Sequence, residues 1–393
     1  MRKDARAIYM DHAATTAVDP KVVEAMLPYF TQIYGNASSI HAWGREAREA
    51  IEGARKAVAD ILGARPQEII FTSCGTESDN LAIRGVGFAS RAKGNHIITS
   101  SIEHHAVSHT CEQLEREFGF EVTYLPVDAY GVVDPDDAAR AMTDKTILIS
   151  IMYANNEVGT IEPIAEIGKL ARAKGIPFHT DAVQAGGTLD LDVNRLNVDL
   201  LSLSAHKFYG PKGVGILYRR QSTPLLPMQT GGGHEGGWRG GTENTPYIVA
   251  LATALELAQG HRDEENARIA ALRDRLIDAV LEAIPKSQLT GHPSKRLPNS
   301  ATFVFQGVEA ESILLKLDML GVAGSSGSAC TTGEAQPSHV LTAMGLPVEL
   351  CQSSLRLTLG RENTVQDVDY VLSVLPDIVS GLRAMSPLYK EDM

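Results

Sequence analysis

The sequence predicts an α/β protein: a mainly parallel sheet flanked by helices, with a smaller α+β unit after it. Two observations carry this. From Glu68 to beyond Lys207, short apolar runs alternate with helical stretches at regular intervals, the pattern of a mainly parallel sheet with helices on both faces. After Gly260 the character changes to one long amphipathic helix followed by scattered strands and helices, which places a domain boundary near residue 260.

Composition bounds the rest. At 393 residues, 44% hydrophobic and 21% charged, the chain is long enough for two domains and ordinary for a globular protein. A net charge of -12 argues against a broad nucleic-acid or anionic-membrane surface. Cys74, Cys111, Cys330 and Cys351 lie far apart and form no C-x-x-C pair, so neither a disulfide framework nor a structural zinc site is expected. The N-terminus has early positive charge without an apolar run behind it, and no stretch approaches a membrane span. These features predict a cytoplasmic protein in a reducing compartment.

The elements follow in order. Asp19 and Pro20 read as N-cap and first residue of a helix. Ala47, Ile51, Ala54 and Val58 recur at helical spacing in a helix that Gly63 ends. The strand E-I-I-F-T-S at 68–73 runs through a tight turn at Gly75 into a helix beginning near Thr76, a helix start that favours an anion. Strands at 96–101, 121–126, 146–152, 176–181 and 198–204 follow. Their ends deliver His104 and His105, Asn155 and Asn156, Asp181 with Gln184, and Ser204 before A-H-K. Ligands of open α/β sheets bind at such strand ends. His105 and His109 have the spacing of a metal pair, but no third ligand is near in sequence. The glycine-dense stretch 231–242 carries Trp, Arg, His and Glu, too specific for a linker; it predicts a backbone that approaches a phosphate or a neighbouring subunit closely. Beyond 260 come the helix through Ile269, Leu272, Leu276, Val280 and Ile284, a strand at 301–305, a helix at 309–319, and S-L-R-L-T-L carrying Arg356. Between them Cys330 sits in G-S-S-G-S-A-C-T-T-G-E, a stretch that cannot build a core and reads as a loop.

Taken singly, Lys207 reads as a surface lysine in a turn. As a set the strand-end residues read differently. A pyridoxal phosphate site needs a lysine for the aldehyde, a carboxylate at the ring nitrogen, a ring to stack on the cofactor, a group near its phenolic oxygen and donors for its phosphate. Lys207, Asp181, His104 and Gln184, with Thr76, Ser204, His206 and Thr242, supply these in that order.

Over essentially its whole length the chain resembles the cysteine desulfurases of the NifS and IscS type, class-V aminotransferase-like proteins of pyridoxal-phosphate fold type I. The resemblance rests on Y-M-D-H-A-A-T-T, Y-G-N-A-S-S-I-H, F-T-S-C-G-T-E-S-D-N, E-H-H-A-V, N-N-E-V-G, H-T-D-A-V-Q, S-A-H-K-F-Y-G-P-K-G, G-G-G-H-E-G-G-W-R-G-G-T, S-S-G-S-A-C-T-T-G and S-L-R-L-T-L-G-R. It implies a large domain over 16–260 with a seven-stranded sheet, and a small α+β domain of 1–15 with 261–393. It implies that Lys207 holds the cofactor and moves the substrate Cα proton, that Asp181 pairs with the ring nitrogen, and that His104 stacks and handles protons. Gln184 would approach the phenolic oxygen, and Gly75, Thr76, Ser204 and His206 the phosphate, with Thr242 reaching in from a partner subunit. Asn156, also a cofactor contact, and Arg356 would hold the substrate carboxylate. Cys330 would take the sulfur of L-cysteine as a persulfide, leaving L-alanine. The implied partners are a second copy of the chain and an iron–sulfur scaffold of the NifU or IscU kind, or another sulfur acceptor, and the cysteine loop resembles the long-loop group. The ending S-P-L-Y-K-E-D-M resembles NifS more than IscS, and T-T-G-E-A-Q-P varies the loop's usual ending. A selenocysteine lyase or another fold-type-I aminotransferase is the alternative enzyme, although an aminotransferase has no use for Cys330. A non-catalytic sulfur carrier would leave the cofactor constellation unexplained. Cys74, Cys111 and Cys351 read as packing.

Overall fold

The computed structural model describes residues 7–326, 337–387 and 389. After a two-residue strand, β1 (Ile8–Tyr9), seven strands build the main sheet: β2 (Ile69–Thr72), β3 (His96–Ser100), β4 (Glu121–Leu125), β5 (Thr146–Ser150), β6 (Phe178–Asp181), β7 (Leu200–Ser204) and β8 (Gly215–Arg219). Their order is β2-β8-β7-β6-β5-β3-β4, and only β8 runs antiparallel to its neighbours. The parallel strands β3, β5 and β7 are short and buried along their whole length because helices cover both faces. Two apolar cores lie in this sandwich. One holds Ile51, Val58, Ile98, Phe178 and Leu203, the other Ile70, Ile83, Ile97 and Leu217. Ile97 and Ile98 thus face opposite sides, as strand alternation requires.

The remaining strands are β9 (Ser287–Leu289), β10 (Ser300–Phe305), β11 (Val322–Ala323) and β12 (Leu355–Thr358). β12, β10 and β9 make an antiparallel sheet, and β1 pairs with β11. Ile8 and Met10 share a core with Leu276, Phe303, Ile313, Leu357 and Val371. The first strand therefore packs with the last third of the chain, not with the sheet that follows it in sequence.

The expected helix ends are where their chemistry puts them. Asp19 Oδ1 accepts from Lys21 N at 2.8 Å, and Gly63 closes the helix Ala42–Leu62 at φ 63°. Gly75 is the first residue of the helix Gly75–Ser90, and a Cβ there would stand 2.7 Å from Val183 Cγ2. Two long helices fell outside the sequence reading, Thr245–Gly260 and Val365–Met385.

Candidate active site

The carboxyl ends of the parallel strands open on a cavity of about 260 Å³, and ten of the twelve predicted site residues line it. Gly75 and Thr76 begin the helix after β2, and His104 is the N-cap of the helix His105–Phe118 after β3. Asn156 follows β5. Asp181 ends β6, with Gln184 just beyond it, and Ser204 ends β7. His206 and Lys207 lie in the single 3₁₀ turn Ala205–Lys207. Arg356 enters from the other sheet, on β12. Strand ends of one sheet thus converge on one crevice, where open α/β folds bind ligands.

Lys207 Nζ donates to the carbonyls of Ala13 and Ala14, at 2.5 and 2.8 Å. Burial, and then the Arg356 cation, push its pKa down to about 8 against the pull of Asp181 and Asp11. Gln184 Nε2 donates to the same Ala13 carbonyl at 3.1 Å. The A-A-T-T turn therefore forms one wall, and Thr15 Oγ1 lies 3.2 Å from His206 Nδ1. Burial, followed by the charges of Lys207 and Lys212, lowers His206 to about 4, so it is neutral at physiological pH.

Asp181 is buried, its Oδ1 accepting from Val183 N at 2.9 Å. Burial raises its pKa; His104 and Lys207 oppose this. His104 caps its helix, Nδ1 accepting from Ala106 N at 3.1 Å. The neutral ring consequently carries its proton on Nε2. Loss of water at the cavity wall lowers its pKa, although part of the residue remains accessible.

Arg356 is already engaged. It donates from Nη1 to Asn156 O at 2.8 Å and from Nη2 to Asp11 Oδ1 at 3.0 Å, while its buried Nε has no partner. Asp11 was missed as a site residue, and so was Asp79. The buried Asp79 lines the cavity, its Oδ1 without a hydrogen bond and 3.6 Å from His179 Nε2, and burial and then Asp181 push its pKa well above the carboxylate range. Cys74, read as packing, is half-buried and lines the cavity beside Gly75, whereas Cys111 and Cys351 are buried. Asn155 is turn chemistry: its Oδ1 accepts from Glu157 N and Val158 N. The His105 and His109 rings stack with centroids 4.4 Å apart, but among the described residues no group of three His, Cys, Asp or Glu is arranged to hold a metal.

Two predicted residues remain. Thr242 is exposed and borders a different cavity, with Ser73, Arg239 and Asn244. Cys330 lies outside the described residues.

The lining fits pyridoxal 5′-phosphate. An amine of lowered pKa and a buried carboxylate line the same cavity, and a helix N-terminus with Thr76, Ser204 and His206 offers donors to a phosphate. The close approach of Val183 and Ser204 to Gly75 leaves backbone, not side chain, at that helix start.

The family description "Aminotransferase class-V" matches residues 8–371. A relative from Methanosarcina thermophila named "Cysteine desulfurase IscS" is 57% identical over 98% of this chain and 94% of its own length. One of the same name from Dictyoglomus turgidum is 53% identical over 98% of both chains. A solved structure described as a NifS-like protein superposes with a TM-score of 0.90 at 38% identity, over 96% of this chain and 100% of its own. Another, "SspA in complex with cysteine", gives 0.80 at 39% identity, over 90% of this chain and 99% of its own. Relatives under the IscS name match over nearly their full length, so the chain's last residues give no reason to side with NifS instead. With this sheet, this cavity and these relatives, the chain belongs to the class-V aminotransferase family, among its pyridoxal-phosphate-dependent cysteine desulfurases.

Proposed function

We propose that the cavity carries out the desulfuration of L-cysteine, with Lys207 as the cofactor-holding amine and proton carrier and Cys330 as sulfur acceptor. The supporting observation is Lys207 itself. It is a partly buried amine with its pKa drawn down to about 8, lining one cavity with Asp181, His104 and Arg356. Bound there, pyridoxal phosphate supplies a ring that stabilises negative charge at the substrate Cα. Asp181 would hold its ring nitrogen protonated, and Gly75, Thr76, Ser204 and His206 would bind its phosphate. Gln184 would meet its phenolic oxygen, and His104, with a proton on Nε2, would stack on it and handle protons. Asn156 contacts cofactor and substrate, and with Arg356 receives the substrate carboxylate.

Lys207, as free base, takes the Cα proton. The Cys330 thiolate attacks the substrate sulfur: the S–S bond forms as the Cβ–S bond breaks, and the bonding pair stays with the carbon fragment. Two protonations release that fragment as L-alanine, and Cys330 keeps the sulfur as a persulfide. No external oxidant or reductant is needed.

The chain works as a homodimer in which Thr242 of each copy completes the other's phosphate site. This accounts for its exposed place away from the cavity. Its two domains are 16–260, and 1–15 with 261–393. It acts in the cytoplasm and passes sulfur to an iron–sulfur scaffold, a role supported by the IscS name of its relatives. Among the described residues no helix is long and apolar enough to cross a membrane. The test is product analysis with L-cysteine and a thiol reductant, which should give alanine and sulfide in equal amounts. Cys330→Ala should keep the yellow cofactor and make no sulfide, and Lys207→Ala should lose the lysine-linked absorbance. Undiminished sulfide from Cys330→Ala rejects the acceptor assignment.

A further inference from the structure

Cys330 is joined to the rest of the chain through two stems, and both are tied to the wall of the cavity. Upstream, Ser325 and Arg356 exchange backbone hydrogen bonds, Ser325 N to Arg356 O at 3.0 Å and Arg356 N to Ser325 O at 2.7 Å. Downstream, Ser338 Oγ donates to Glu157 Oε2 at 2.5 Å, and His339 Nε2 lies 2.9 Å from Glu103 O. Arg356 lines the cavity, as do Asn156 and His104, the chain neighbours of Glu157 and Glu103. Cys330 is five positions from Ser325 and eight from Ser338. Extended chain spans at most about 18 Å and about 29 Å over those lengths. Both ends of the segment that carries Cys330 are therefore fixed beside the cavity.

The downstream tie has no need of a carboxylate for stability. Glu157 is 7% exposed, and burying a carboxylate is costly. Burial pushes its pKa up to about 7, against the hydrogen bond from Ser338 and the Arg356 charge. Ser338 already caps the helix His339–Ala343, its Oγ accepting from Leu341 N at 3.2 Å, and a serine does this unaided. What Glu157 adds is direction. It takes the hydroxyl proton, so the lone pair is left for the helix and the Ser338 side chain has a single orientation. Glu157 is itself held by the Asn155 turn, and its carbonyl accepts from Thr302 Oγ1 at 2.6 Å. The stem is thus fixed to the floor of the small sheet and the rim of the large one.

We propose that the Glu157–Ser338 pair is a positioning device for sulfur transfer, fixing the downstream stem so that the Cys330 thiol meets the substrate sulfur, without touching substrate or cofactor. This rests on Cys330 being the acceptor, and the experiment separates the two. Holoenzyme is mixed rapidly with L-cysteine. The change in cofactor absorbance follows substrate engagement, and alkylation with mass spectrometry follows persulfide on Cys330. Ser338→Ala should leave the absorbance step within about twofold and slow persulfide formation about tenfold, the scale expected of lost positioning. Glu157→Gln, whose amide oxygen still accepts from Ser338, should restore near-native transfer. Glu157→Met, which keeps the volume and removes the acceptor, should behave as Ser338→Ala. Native-rate persulfide formation in Ser338→Ala overturns the proposal, and so does equal slowing of both steps, which marks a general loss of structure. Cys330→Ala that still releases sulfide at the native rate instead rejects the reading beneath it.

Discussion

At the residue scale the decisive group is Lys207. An ordinary lysine is protonated until well above pH 10 and captures aldehydes slowly at neutral pH. Burial, with Arg356 adding to it, brings Lys207 to about 8. The folded chain disfavours the charged amine, so the reactive free base appears as pH rises through 8. Cofactor uptake by the apo-protein should therefore rise between about pH 7 and 9 with a midpoint near 8. Arg356→Gln removes a nearby cation and should move that midpoint upward. Rates measured by the growth of cofactor absorbance check both, and a profile still climbing at pH 10 in the native chain contradicts the first. Asp181 and Ser204 were legible because each ends a strand read from its apolar run, and Lys207 only as a member of the set of strand-end residues. Asp11 was not, since its role is defined by Arg356, 345 positions away. The same holds for Glu157 and Ser338, 181 positions apart. Asp79 escaped for another reason: within E-S-D-N it looks like helix surface, and only the fold buries it.

At the element scale, the glycine-dense stretch shows what sequence can and cannot specify. Its composition implied a close backbone approach, and Gly236, Gly237 and Gly241 do adopt positive φ. The pin that holds it is the one Glu of that stretch, whose partners lie far away in sequence. Buried Glu235 accepts from Arg55 Nη1 at 2.7 Å, from Arg55 Nη2 at 3.1 Å and from Phe71 N at 2.9 Å. One carboxylate thus joins the stretch to the helix Ala42–Leu62 and to β2. Glu235→Ala would strand the buried Arg55 charge, which costs about 3–5 kcal/mol in comparable pairs. The denaturant midpoint should fall clearly, while Glu52→Ala, which removes only the exposed partner of Arg55, should leave it nearly unchanged. Equal midpoints for the two variants would show that the buried pair carries no special weight. The missed helices have plain causes. Val365–Met385 contains Pro376, which reads as a break, and Thr245–Gly260 is so evenly apolar that no helical period stands out.

At the scale of the whole molecule, the surface does not look complete. Leu27, Phe30, Tyr34, Ile40 and Trp43 are all at least half exposed, Ile40 at 90%, within seventeen residues of chain. A run of large exposed apolar groups of this kind marks an interaction surface. Burying it against a second copy removes apolar area from water, and the exposed Thr242 gains a role only if another chain's cavity comes within reach. Sedimentation at micromolar concentration should then give twice the chain mass. Ile40→Asp, which places a charge in the contact, should shift the protein toward monomer. If Thr242 serves the partner's phosphate site, the monomer should also hold pyridoxal phosphate more weakly, although every residue lining its own cavity is unchanged. A monomeric Ile40→Asp protein with native cofactor affinity would separate assembly from the site, leaving Thr242 as surface. A native chain that sediments as a monomer would remove the dimer altogether.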